Sequence, residues 1–211
     1  VHHKSVLGLR ERNKQDKLQR IRKAARTLFR QQGFEATTIA QIAEAAEVAK
    51  GTIFLYARDK EELLFLVFME DLAAAVEQGL SSLPDAPLVE QMVHLFQPLL
   101  QLYSRDSALA LLFIRELLIL KDDRLQDYND LTTGFLLRIA ALLDAGVARR
   151  ELAPDLDTLL AAHNIFGVYA FMLLTWLQDQ RPNVALGGDM LRRSFALLWR
   201  GMAADRAAQI R

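Results

Sequence analysis

The sequence predicts an all-α protein, and three observations carry that prediction. Apolar residues recur at helical spacing along most of the chain. The punctuation is that of helices: Thr38, Asp59 and Pro154-Asp155 stand where helices open, and Gly33 and Gly146 where they close. No segment reads convincingly as a strand, and the pattern resolves into about nine helices. Three parts follow: a basic arm over 1–13, a helix-turn-helix head over 14–60, and a larger helical body over 61–211.

Composition narrows the class. Apolar residues make up 52% of the 211, enough for a sizeable core, and there is no cysteine. Disulfides, cysteine-ligated zinc and thiol nucleophiles are thereby excluded, in keeping with a reducing, cytoplasmic setting. Val1 to Leu18 is charged rather than apolar, unlike a secretory signal. The net charge of zero conceals an asymmetry: residues 1–60 carry 13 Lys and Arg against 6 Asp and Glu, a net of +7, and the remainder carries −7. The basic part attracts phosphate and the acidic part avoids it.

Taken in order, Val1–Asn13 has no sustained period and reads as an arm, with His2-His3 an exposed terminal pair. The first helix places Leu18, Ile21, Ala25, Leu28 and Phe29 on one face and Lys14, Lys17, Lys23, Arg26 and Arg30 on much of the rest. Gly33 supplies the left-handed residue that a helix C-terminus favours. Thr38 and Gln41 form a capping box for a short helix with Ile39, Ile42, Ala43 and Ala46 inward. A turn at Glu47–Ala49 leads to a second short helix, Lys50 to about Tyr56, which would enter the major groove of DNA. Asp59 caps the next helix, apolar on every side from Leu63 to Met69, which we read as a connector to the body.

Ser81–Pro87 is the clearest break. A helix from about Leu88 meets Pro98, which should kink or end it. Asp106–Lys121 is helical, Lys121–Asp123 a charged turn, and a further helix ends at Gly146. Pro154-Asp155 opens a helix to about Gln178. Arg181–Asn183 and Gly187-Gly188 bracket a loop, and Asp189 to about Asp205 is the last helix. Thr158–Gln178 has no charged residue and is long enough to span a bilayer. His163, Asn164 and the flanking aspartates favour instead a helix buried in its own core and against a second subunit.

Residues 18–66 resemble the TetR family of bacterial transcriptional regulators. The resemblance rests on Gly33-Phe34, Thr37-Thr38, Ile42-Ala43, Ala46, Val48, Lys50-Gly51-Thr52-Ile53-Phe54 and Lys60-Glu61-Glu62-Leu63. It implies a homodimer whose heads read a palindromic operator and whose bodies bind a small inducer. The DNA-contact candidates are then Thr38, Lys50, Gly51, Thr52, Phe54, Leu55, Tyr56 and Lys60. Thr38 and Lys60 suit phosphates, Lys50 a guanine edge or phosphate, and Thr52 a thymine methyl or base acceptor. Ile53 belongs to the core. Phe54 stands where the family often has a phosphate-binding tyrosine, and Tyr56 is placed to supply the missing hydroxyl. Glu47 replaces a usual turn glycine, and Ala57 a usual aromatic.

For the body, aromatics at helical spacing offer an apolar pocket, among them Phe96, Tyr103, Phe113, Phe135, Phe166, Tyr169 and Phe171. His94, Arg115, His163 and Asn164 are polar groups on apolar faces. The ligand-contact candidates are His94, Phe96, Tyr103, Phe113, Arg115, His163, Phe166 and Tyr169. Dimerisation is expected through helices at 155–178 and 189–205. The function expected is a ligand-responsive DNA-binding regulator, most simply a repressor released by a largely apolar inducer, with no cofactor, no metal and no membrane partner. The alternatives are an all-helical enzyme or a helical adaptor. No HExxH, Gly-x-Ser-x-Gly or phosphate-cradling glycine loop supports the first.

Overall fold

A computed structural model describes residues 8–117, 122–179 and 182–203. The chain divides into two compact units, Val1–Glu70 and Asp71–Arg211. Among the described residues there are nine helices and no sheet; a single β-bridge joins Leu152 and Ala203.

The first unit holds α1 (Leu9–Gln32), α2 (Ile39–Ala45), α3 (Lys50–Ile53) and the start of α4 (Lys60–Ser81). Helix α1 begins inside the stretch expected to be an aperiodic arm. Its opening residues, LRERNK, are mostly strong helix formers, so propensity holds a turn that apolar periodicity does not mark. The His2-His3 pair and the rest of residues 1–7 lie outside the described residues. Gly33 ends α1 at φ 83°, where a side chain would be strained. Ile21, Ala25, Phe29, Ile42, Ala43, Ala46 and Ile53 are buried as their spacing requires. The connector agrees as well: Leu63, Leu64, Phe65, Val67 and Phe68 are buried. Helix α3 is shorter than expected, and Phe54–Tyr56 form a turn closed by Tyr56 N–H and Ala57 N–H on the Ile53 carbonyl.

The second unit comprises the rest of α4 with α5 (Leu88–Ser104), α6 (Ser107–Leu117), α7 (Asp122–Ala148), α8 (Thr158–Trp176) and α9 (Val184–Met202). Helix α5 packs most extensively on α9, and α7 on α8. Several expected boundaries move. Pro98 does not end α5: it is buried, as are Leu95, Leu99 and Leu100, and the apolar area removed from water offsets the lost N–H bond. Of the charged turn, Lys121 lies outside the described residues, and Asp122 already opens α7. Gly146 sits within α7, and the chain turns instead at Arg150, φ 62°. Asp157, not Pro154-Asp155, caps α8, through Leu160 N–H at 2.9 Å.

The expected loop at Gly187-Gly188 is the first turn of α9, capped by the Asn183 side chain on Ala185 N–H and Leu186 N–H. Gly187 is explained by closeness rather than by a turn. A Cβ there would stand 3.2 Å from the Trp176 ring, whose Nε1 donates to the Asn183 carbonyl at 3.1 Å. One face of α8 and α9 stays uncovered in the single chain, with Leu160, Phe171, Leu186 and Leu197 each more than half exposed. By length and composition Asp123–Ala148 and Thr158–Trp176 would both pass as membrane spans, but core helices of soluble proteins pass the same test.

Candidate DNA-reading surface and body cavity

The head is built around its caps. Thr38 Oγ1 accepts from Gln41 N–H at 3.2 Å, and Gln41 Oε1 accepts from Thr38 N–H at 2.8 Å, so the capping box is complete. The Thr38 hydroxyl also donates to Gln41 Oε1 at 3.0 Å, so without DNA its proton serves the cap. Thr37, buried, donates to the Gly33 carbonyl at 2.7 Å and holds the end of α1 to the start of α2. Glu47 occupies the turn at φ 54°, the left-handed region that favours the glycine it replaces. Its carboxylate lies 3.8 Å from Arg20 Nη1 on α1.

Beyond the turn, Lys50 and Gly51 are exposed and Thr52 is half-buried, while Ile53 is fully buried. Phe54 is 49% and Leu55 79% exposed, the two large apolar side chains that the head leaves in the open on this helix and its turn. Two other candidates are engaged internally. Tyr56 Oη donates to the Lys14 carbonyl at 3.2 Å, tying the recognition turn to α1. Lys60 Nζ donates to the Phe34 carbonyl at 2.7 Å and the Glu35 carbonyl at 3.3 Å, and lies 4.3 Å from the Phe34 ring centroid. It closes the α1–α2 loop. Position in the sequence suggests a phosphate contact for this lysine, and only the fold brings the two loop carbonyls beneath it.

Helix α1 is fixed to α4 by Glu70. Its carboxylate takes Arg26 Nη2 at 2.8 Å, Gln19 Nε2 at 2.8 Å and Arg22 Nη1 at 3.4 Å. Burial pushes this carboxyl up, but the bonds from Arg26 and Gln19 and the charges of Arg22 and Arg26 prevail and hold it below its ordinary value. Three of the basic residues of α1 are therefore not all available to DNA: Arg22 and Arg26 are paired, and Lys23 is exposed.

Within the second unit, helices α4 to α8 line a partly open cavity of about 270 Å³. Leu72 and Val76 come from α4, Leu99 and Tyr103 from α5, Ile114 and Leu117 from α6. Helix α7 gives Tyr128, Leu131, Thr132 and Phe135, and α8 gives Phe166, Tyr169, Ala170, Leu173 and Leu174. None of these is charged. The polar groups are hydroxyls: Tyr103 bonds to Tyr169, and Tyr128 to Thr132. Burial pushes all three phenols above their ordinary range, and their mutual repulsion as anions adds to it at Tyr103 and Tyr169. They are neutral hydrogen-bonding groups at physiological pH.

Three of the eight ligand candidates line this cavity: Tyr103, Phe166 and Tyr169. Phe96 stands behind its wall, 4.6 Å from the Tyr169 ring and 5.4 Å from Phe135. Phe113 is buried elsewhere in the core. Arg115 is exposed, which removes the reason for giving it a buried partner. His94 meets Ser82 Oγ at 3.0 Å through Nε2, and His163 meets the Leu159 carbonyl at 2.8 Å through Nδ1 on the uncovered face of α8. Tyr128 and Thr132 were not anticipated. Their spacing with Leu131 and Phe135 is a helical face, but it passes for amphipathic surface when read beside Asp127 and Asp130.

Residues 21–67 match the family model described as bacterial regulatory proteins, tetR family. The fatty acid metabolism regulator protein of Bacillus subtilis is 28% identical over 183 residues, covering 85% of this chain and 94% of its own. The crystal structure of the Bacillus subtilis regulator FadR in complex with stearoyl-CoA has a TM-score of 0.68 at 27% identity, with 87% and 98% of the two chains aligned. Thermus thermophilus FadR, a TetR-family repressor crystallised with lauroyl-CoA, has a TM-score of 0.69 at 29% identity over 88% and 94%.

Proposed function

Because the chain belongs to the TetR family of bacterial transcriptional regulators, we propose that it is a dimeric repressor whose operator binding is relieved by a fatty acyl ligand, in particular an acyl-CoA. The observation that carries this reading is the body cavity, whose walls are mainly aliphatic and aromatic and hold no charge among the described residues. Such a wall gives little to a polar effector. Each methylene it removes from water contributes about 0.8 kcal/mol. Stearoyl-CoA and lauroyl-CoA, each bound to a FadR protein of the same fold, are the second support.

The DNA side follows from the head. Lys50, Gly51 and Thr52 open the recognition helix toward base edges and phosphates, and exposed Phe54 and Leu55 suit the thymine methyl, the apolar group of the major groove. Two copies joined through the uncovered face of α8 and α9 would match an operator with half-sites about 34–36 Å apart. Helix α4 runs from the head to the cavity, where it contributes Leu72 and Val76. A chain seated there favours one packing of α4, and DNA favours another; by linkage, each weakens the other equally. The setting is the bacterial cytoplasm.

The test is release. Duplex DNA selected from a random library by the intact protein is labelled, and anisotropy is followed as lauroyl-CoA, stearoyl-CoA or CoA alone is added. Release by the acyl thioesters and not by CoA is the expected result. Operator binding that is indifferent to saturating acyl-CoA would refute the ligand assignment, and failure to enrich any duplex would refute the DNA reading.

A further inference from the structure

We propose that Arg124 receives the anionic group of the ligand whose chain lies in the body cavity. The proposal rests on the acyl reading above and names the residue that completes it. Tyr128, Leu131, Thr132 and Phe135 of α7 line the cavity. Arg124 lies one turn before Tyr128, on the same face, at the N-terminal end of that row. It continues that row one turn beyond the last lining residue.

Its own chemistry is incomplete. Arg124 Nε is buried and has no hydrogen-bond partner among the described residues. Arg20 and Arg22 each carry such a nitrogen too, but their guanidinium groups are ion-paired, with Asp16 and with Glu70. Arg124 makes no ion pair among the described residues. A guanidinium cannot shed its charge, and an unmet N–H donor out of water is costly. Among the described residues the cavity walls supply no carboxylate to meet it. An oxygen anion arriving with the ligand would. The guanidinium fork suits a carboxylate, which ends a free fatty acid, and a phosphate, which an acyl-CoA carries beyond a neutral thioester and its pantetheine arm.

Isothermal titration of the full chain separates the sources. Wild type, Arg124→Ala and Arg124→Lys are each titrated with lauroyl-CoA, laurate and dodecanol. The expected result is a loss of about ten- to a hundredfold for an anionic ligand in Arg124→Ala. Dodecanol should stay within about twofold, and Arg124→Lys should recover part of the loss. Loss confined to lauroyl-CoA identifies phosphate as the anion, and loss confined to laurate identifies carboxylate; either supports the assignment. An equal loss for dodecanol would mean that Arg124 only packs the wall, and no loss for either anion would overturn the proposal. Failure of the wild type to bind any of the three would overturn the acyl reading itself, and this assignment with it. Operator binding by each variant reports that the fold is intact.

Discussion

Replacing Lys60 by methionine separates two roles that the same residue suggests in sequence and in structure. Position alone makes it a phosphate contact. The fold gives it two carbonyl acceptors, at 2.7 Å and 3.3 Å, and a ring at 4.3 Å. A hydrogen bond to a charged group contributes about 1.5–3 kcal/mol when buried, but Lys60 is half-buried, so about 1 kcal/mol for the shorter bond and less for the longer is a fair allowance. The ring adds about 0.5 kcal/mol. Lys60→Met should therefore cost the head about 1–2 kcal/mol in urea unfolding. Operator affinity is then measured against salt concentration. A phosphate-binding lysine contributes about 0.9 to the slope of the logarithmic plot. The slope should be unchanged in Lys60→Met and should fall by about that amount in Lys50→Met. Unaltered stability together with a reduced slope in Lys60→Met would show that the carbonyl contacts are incidental and that the lysine faces DNA.

Other outcomes follow from the same geometry. Replacing thymine by uracil in the selected duplex removes only methyl groups; wild type should lose severalfold affinity, about 1 kcal/mol, at one or more positions. Leu55→Ala should lose that sensitivity, and anisotropy titrations that show equal sensitivity in both proteins would exclude Leu55 as the reader. Leu197→Asp, on the uncovered face, should yield a monomer in analytical ultracentrifugation and weaken operator binding, whereas a dimer of undiminished affinity would place the interface elsewhere. For Glu70 the folded carboxyl lies below its ordinary value near 4.5, so its stabilisation is present above that pH and is lost as pH falls through the folded value. Glu70→Gln should be less stable than wild type near neutrality, and the difference should shrink below about pH 4.5, as followed by acid unfolding.

Much of the head was legible because its signals are local. A capping box, a positive-φ glycine and an apolar stripe each act within a few residues, so Thr38, Gly33, Ile42 and Ile53 could be placed from spacing alone. What escaped notice depends on distant partners. Tyr56 was expected to face phosphate and instead meets a carbonyl on α1, 42 residues away in sequence. In the body, periodicity identified helices but not which apolar face meets a void and which meets a neighbour. Phe96 and Tyr169 have equal claims by pattern, yet only Tyr169 lines the cavity. Glycine misled twice for a related reason: Gly146 and Gly187 are small to admit neighbouring side chains, not to end helices.

Among the described residues the cavity wall carries no charge, so it grades a bound chain by contact alone. Apolar contact is non-directional and is graded by size alone. Two chains that differ by two methylenes differ by at most about 1.6 kcal/mol, roughly fifteenfold, even when the wall covers every atom. Hydroxyls on Tyr103, Tyr128 and Tyr169 mark a few points but do not count carbons. A sensor built this way does not report the concentration of one metabolite. It sums over neighbouring chain lengths, each weighted by fit, and so registers the state of a pool.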